Sequence, residues 1–128
     1  MPIGGRVVII VQEELLLRMD VADTFEAVGF KVFQVGTAEE AIKVLQREPT
    51  IRVVFTDVDL PGTMDGLALA HYVRQRRPPT ILLVGSGRIP LDTRTLPSKA
   101  EFVQKPYMHG RLAKAVQGTL SQIAGSDL

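Results

Sequence analysis

The sequence predicts an α/β domain: a doubly wound, five-stranded parallel sheet with helices on both faces. Two observations carry that prediction. Short apolar, β-rich runs alternate along the whole chain with longer segments of helical period, and strands alternating with helices imply right-handed crossovers that lay helices over a parallel sheet. The first and third runs are continuously rich in Val and Ile, as strands buried on both faces are, so they belong at the centre of the sheet.

The elements follow in order. Arg6 to Val11 is the first strand, and Glu14 to Val28 the first helix, with Leu15, Met19, Ala22, Phe25 and Val28 on one face and Gly29 placed to end it. Lys31 to Val35 is the second strand. Thr37 and Glu40 have the spacing of a capping box ahead of Ala38, Ala41, Ile42 and Leu45. Arg52 to Thr56 forms the third strand; an acidic Pro-Gly loop follows, and Asp65 caps a helix through Leu67, Ala70 and Val73. Thr80 to Val84 and Ala100 to Val103 supply the last two strands, and Leu112, Val116, Leu120 and Ile123 mark the inner face of a final helix. Between those strands, Arg88 to Lys99 contains Pro90 and Pro97, which disfavour a full helix; a short or irregular segment is expected there.

Composition narrows the function classes. With 128 residues, 45% of them apolar, the chain has room for one domain with a substantial core, and residues 1–128 read as a single unit with no linker. A formal charge of +1 with both signs interspersed lacks the footprint of a nucleic-acid binder. The absence of cysteine excludes disulfides and thiolate chemistry and agrees with a cytoplasmic setting. Val7 to Val11 is too short for a membrane span. His71 and His109 have no partners at metal-ligand spacing, the Gly85-Ser86-Gly87 and Gly4-Gly5 stretches are incomplete as phosphate loops, and Arg74, Arg76 and Arg77 read as a solvated helix terminus.

In open parallel sheets the binding crevice lies beyond the carboxyl ends of the strands, where strand order reverses. The residues following the strands are Gln12 and Glu13 after the first, Asp57 after the third, Ser86 after the fourth and Lys105 after the fifth. Carboxylates beside a lysine and a hydroxyl suit a divalent cation and a phosphoryl group, since Mg²⁺ takes hard oxygen ligands and cations offset the charge of a transferring phosphoryl.

Three segments make the chain resemble the receiver domain of bacterial two-component response regulators: Val11-Gln12-Glu13-Glu14, Phe55-Thr56-Asp57-Val58-Asp59-Leu60-Pro61-Gly62, and Phe102-Val103-Gln104-Lys105-Pro106-Tyr107. The resemblance implies a flavodoxin-like sheet of order 2-1-3-4-5. It implies Asp57 as phosphoacceptor and Lys105 as the cation on the phosphoryl oxygens. It implies Ser86 as the switching hydroxyl and Phe102 as the aromatic that turns with it. Mg²⁺ would be held by Glu13, Asp57 and the backbone carbonyl of Asp59, with Gln12 contributing through water. The implied partners are a sensor histidine kinase or histidine phosphotransfer protein and a downstream protein, with pairing through the last helix as an option; the only reaction implied is the domain's own aspartyl phosphorylation and dephosphorylation.

Besides the proline-bearing connection from Arg88 to Lys99, two departures from the family pattern stand out. The family usually has two acidic residues after the first strand, whereas here the first is the neutral Gln12 and the second, Glu13, is longer than aspartate. The hydroxyl expected at the end of the fourth strand registers at Ser86 or, if the position falls on Gly85, is missing or displaced. The alternative is therefore a pseudo-receiver, an interaction module indifferent to phosphorylation; a third reading is a flavodoxin-like enzyme or ligand binder using the same crevice.

Overall fold

The computed structural model describes residues 6–87, 92–107 and 110–126. Five strands are present: β1 (Val7–Val11), β2 (Lys31–Val35), β3 (Val53–Asp57), β4 (Ile81–Ser86) and β5 (Glu101–Gln104). They form one parallel sheet of order β2-β1-β3-β4-β5, with β1 and β3 inside. The expected architecture is thus observed, and strand order reverses between β1 and β3, as a doubly wound sheet requires.

The alternation of side chains divides each strand between two apolar layers. Val8, Ile10, Phe55 and Leu83 face α1 (Leu15–Glu26) and α4 (Arg111–Ser126), packing with Phe25, Val116 and Ile123. Ile9, Val11, Val54, Leu82 and Val84 face α2 (Ala38–Arg47) and α3 (Gly66–Arg76), packing with Ala41, Leu45, Leu69 and Val73.

Local chemistry sets the helix ends. Thr37 Oγ1 accepts from the Glu40 amide at 3.1 Å, the N-cap half of the expected box, while Glu40 Oε1 accepts from the Thr37 hydroxyl at 3.1 Å, a contact made to the hydroxyl in place of the backbone amide. Asp65 Oδ1 accepts from the Ala68 amide at 2.8 Å at the start of α3. Gly29, at φ +91°, takes the left-handed turn beyond α1.

Three sequence expectations need revision. In α1 the buried face is Val21, Ala22 and Phe25, whereas Leu15, Leu16 and Met19 are 56, 75 and 45% exposed. The helix carries apolar residues on more than one side, so periodicity alone did not select the covered one. Strand β4 also runs two residues further than expected, through Gly85 and Ser86, which fixes the register at the site.

Of the three arginines at the end of α3, Arg76 is exposed as expected, but Arg74 and Arg77 are not part of a solvated terminus. Arg77 donates to the carbonyls of Leu45, Glu48, Pro49 and Ile51, tying α2 to the strand that follows it. Arg74 donates to Ser98, Pro78 and Thr80 carbonyls at 2.8, 2.6 and 2.7 Å. Together with His71 Nε2, 2.7 Å from the Thr95 carbonyl oxygen, it anchors the connection between β4 and β5. The ordered structure described in that connection is a single 3₁₀ turn, Thr93–Thr95, in keeping with the short segment expected; Arg88 to Leu91, including Pro90, lie outside the described residues.

Candidate functional site

The C-terminal ends of β1, β3 and β5 converge on one carboxylate. Asp57 closes β3 and is buried, 5% exposed. Lys105, just after β5, places Nζ 2.6 Å from Asp57 Oδ2, a short charge-assisted contact. Its main chain is fixed as well, because the Lys105 amide donates to the Ser86 carbonyl at 2.9 Å; the Lys105–Pro106 peptide is cis.

Gln12, buried at the end of β1, donates Nε2 to the same Asp57 Oδ2 at 3.1 Å. Its Oε1 accepts from the Glu14 amide at 3.1 Å, at the mouth of α1. The two bonds fix the amide orientation, since a flipped side chain would set oxygen against carboxylate and nitrogen against an amide hydrogen. Gln12 therefore bridges β1, α1 and β3 and turns a donor toward the carboxylate. Oδ1 is less engaged: it accepts from the Asp59 amide at 3.3 Å. Glu13 is exposed on the rim.

On the other side of Asp57 lies β4, and the pairing register sets Asp57 against Gly85. Alternation then carries Ser86, fully buried, onto the α2–α3 face with Leu82 and Val84, one step away from Asp57's neighbour. The space beside Gly85 is filled by Tyr107. A Cβ built on Gly85 would stand 1.9 Å from Tyr107 Oη and 3.1 Å from Cζ. The ring is held edge-on against Phe55, centroids 5.7 Å apart. Its hydroxyl is buried without a hydrogen-bond partner among the described residues. Burial, and then the Asp57 carboxylate, push the phenol well above its usual range.

The structure thus gathers Gln12, Asp57 and Lys105, leaves Glu13 on the rim, and sets Phe102 half-buried on the edge strand β5, opposite Val84. Tyr107 was not read as a site residue. The signal available was a glycine at the end of the fourth strand with an aromatic hydroxyl two residues past the lysine.

Comparison with known proteins shows the family and the fold. The sequence profile of the response regulator receiver domain matches residues 8–117. The chain belongs to this family. The receiver is 32% identical over 113 residues to the C4-dicarboxylate transport transcriptional regulatory protein DctD of Rhizobium meliloti, an alignment covering 86% of this chain and 24% of that protein. It is 32% identical over 124 residues to the response regulator FleR of Pseudomonas aeruginosa, covering 94% and 26% of the two chains. The chain therefore spans about a quarter of the length of these curated relatives. Among solved structures, a response regulator receiver protein from Sinorhizobium medicae superposes with a TM-score of 0.81 at 24% identity, over 91% of this chain and 95% of the other. At that identity the likeness is one of fold.

As a receiver, the domain is of a signalling family typically associated with aspartyl phosphorylation and Mg²⁺. Toward such an ion the described residues offer Asp57 Oδ1, which accepts a single long hydrogen bond among them, and Glu13 is exposed on the rim. Mg²⁺ keeps several waters and is commonly bound by one or two carboxylates plus phosphate oxygens, and the Asp57 carboxylate is a donor of that kind. Among the described residues no group of three or more His, Cys, Asp or Glu is placed to hold a metal. No described helix is long and apolar enough to cross a membrane.

Proposed function

We propose that the domain accepts a phosphoryl group on Asp57 from a histidine kinase or histidine phosphotransfer protein and passes the signal on through a change of shape. The observation carrying this reading is the buried Asp57 carboxylate with Lys105 Nζ 2.6 Å from Oδ2 at the carboxyl end of the central strand. In line attack by a carboxylate oxygen on the phosphorus of a phosphohistidine forms the acyl phosphate and releases the histidine nitrogen with the electron pair of the broken P–N bond. Lys105 offsets charge on the phosphoryl oxygens, and Gln12 orients the carboxylate while contributing no charge of its own. Mg²⁺, held by Asp57, Glu13 and the Asp59 carbonyl, would supply further positive charge to the phosphoryl oxygens.

Exposed Leu15, Leu16 and Met19, on the first turns of α1 next to the rim, offer the phosphodonor an apolar surface. The large exposed apolar side chains among the described residues are these three, none of them on α4, so α1 rather than the last helix is the better candidate for protein contact. Phe102 on edge strand β5 is the aromatic that would move as the signal reaches a downstream protein.

A second reading has its own support. The Gln12 amide and the Lys105 ammonium both engage Asp57 Oδ2 with no phosphate present, as they would in a pseudo-receiver. Intact-mass measurement after incubation with a small acyl-phosphate donor and Mg²⁺ separates the two. One phosphoryl group on the native protein, absent from Asp57→Asn and strongly reduced in Lys105→Ala, is expected. A folded native protein that gains no mass at any Mg²⁺ concentration leaves the pseudo-receiver reading.

A further inference from the structure

We propose that the Tyr107 hydroxyl is the donor that meets the phosphoryl group on Asp57, taking the place of a side-chain hydroxyl that Gly85 lacks. The inference rests on the phosphoacceptor reading of Asp57 and assigns to Tyr107 the part that the sequence reading gave to Ser86.

The argument begins with register. Asp57 and Gly85 are direct neighbours across β3 and β4. Such neighbours are about 4.8 Å apart in a sheet, with side chains leaving on the same face, so a side chain at 85 would stand beside the Asp57 carboxylate. Glycine leaves that place empty, and the phenol occupies it: Oη lies 1.9 Å from the point where the Cβ would be. Tyr107 thus reaches across from the segment after β5 to the position of Asp57's cross-strand neighbour. Ser86 sits on the next position along β4, and the alternation of the strand sends its side chain to the opposite layer.

The second observation is the state of the hydroxyl. It is buried and has no partner among the described residues, an arrangement that costs stability when nothing compensates it. The ring cannot easily swing away, being edge-on to Phe55 and partly buried against the α1–α4 layer. A donor held ready beside an anionic acceptor site has a use once that site carries phosphoryl oxygens. Phosphorylation then gives the orphan hydroxyl its acceptor and links the strand-three carboxylate to the segment following β5.

The pair of positions also predicts a compensation. Any Cβ at 85 collides with Oη, but with the hydroxyl removed its nearest ring atom, Cζ, stands 3.1 Å away, which a small adjustment of the ring accommodates. Serine at 85 with phenylalanine at 107 therefore moves the hydroxyl from one residue to the other within the same space.

The test uses the full chain, Mg²⁺ and beryllofluoride, which forms a phosphoryl-like adduct on aspartate. Adduct affinity is measured for the native protein, Tyr107→Phe, and the double variant Gly85→Ser with Tyr107→Phe, alongside thermal unfolding of each without ligand. Tyr107→Phe is expected to melt at the native temperature or above it, since an unpartnered buried hydroxyl is removed, while its adduct weakens roughly tenfold, the usual effect of losing one hydrogen bond to a charged group. The double variant should recover to within about threefold of native. Equal affinities for native and Tyr107→Phe overturn the proposal, and so does a double variant no tighter than Tyr107→Phe. No adduct on the native protein would overturn the Asp57 reading itself, a result distinguishable because it does not depend on residue 107.

Discussion

Replacing Gly66 by alanine tests how tightly the phosphoacceptor strand is locked to α3. A Cβ at Gly66 would lie 1.5 Å from the Asp57 carbonyl oxygen and 2.9 Å from Thr56 Oγ1. No side-chain rotation relieves a collision with backbone, so either β3 or the start of α3 must move by more than an ångström. That movement breaks or lengthens the Gly66 amide bond to the Val58 carbonyl, 2.9 Å, and the Thr56 hydroxyl bond to the Asp57 carbonyl, 3.0 Å. Two hydrogen bonds at about 1 kcal/mol each and overpacking strain of about 1–3 kcal/mol add to a loss of roughly 3–5 kcal/mol. Gly118→Ala is the internal control. It lies within α4, where the new methyl would find Glu101 Oε2 at an ordinary 3.8 Å, so helix propensity alone acts and stability rises by about 1 kcal/mol. In thermal unfolding followed by circular dichroism, Gly66→Ala should melt roughly 15 °C lower and Gly118→Ala a few degrees higher. A Gly66→Ala protein melting within a degree or two of native, or a Gly118→Ala protein that falls as far, would refute the reasoning.

Other expectations follow from single contacts. Arg77→Ala removes the guanidinium shared by four carbonyls and should lower stability by about 2 kcal/mol in urea titration; an unchanged midpoint would mean the bridge is dispensable. Gln12→Asp exchanges a donor to Asp57 for a like charge, so in chelator the variant should be about 1–2 kcal/mol less stable, while added Mg²⁺ should raise its melting temperature more than that of the native protein. Equal Mg²⁺ responses would show that Gln12 does not limit metal binding. Because the folded state raises the Tyr107 phenol above its ordinary value of 10.0, its contribution to stability is complete below that pH and is lost as pH climbs beyond it. Tyr107→Phe should flatten that alkaline decline, and an identical pH profile would contradict the assignment.

The sheet and its central strands were legible because a parallel strand buried on both faces must be apolar throughout, and Val8 to Val11 and Val53 to Phe55 are. Asp57 and Lys105 were legible for a related reason: in this topology polar residues that end strands meet at one rim. What sequence withheld depends on register and on choices between faces. Whether Gly85 or Ser86 stands beside Asp57 is decided by where β4 pairs with β3, and no local pattern encodes that. Tyr107 follows a proline in a connecting segment, where periodicity says nothing about direction. Leu15 and Met19 repeat at helical spacing, yet α1 turns Val21, Ala22 and Phe25 inward and leaves them outside. Arg77 was read as solvated because a basic helix end usually is, whereas its use depends on carbonyls of α2 and its following loop more than twenty residues away in the chain.

The claim on which the rest depends is that Asp57 carries the phosphoryl group, and its location can be read directly. The protein is phosphorylated with an acyl-phosphate donor and Mg²⁺ and reduced with borohydride, which converts an aspartyl phosphate to homoserine. Digestion and mass spectrometry then locate the changed residue. Homoserine at position 57 alone is the predicted result; homoserine at Asp59 or Asp65 instead, or none in a protein shown to be folded, would contradict it.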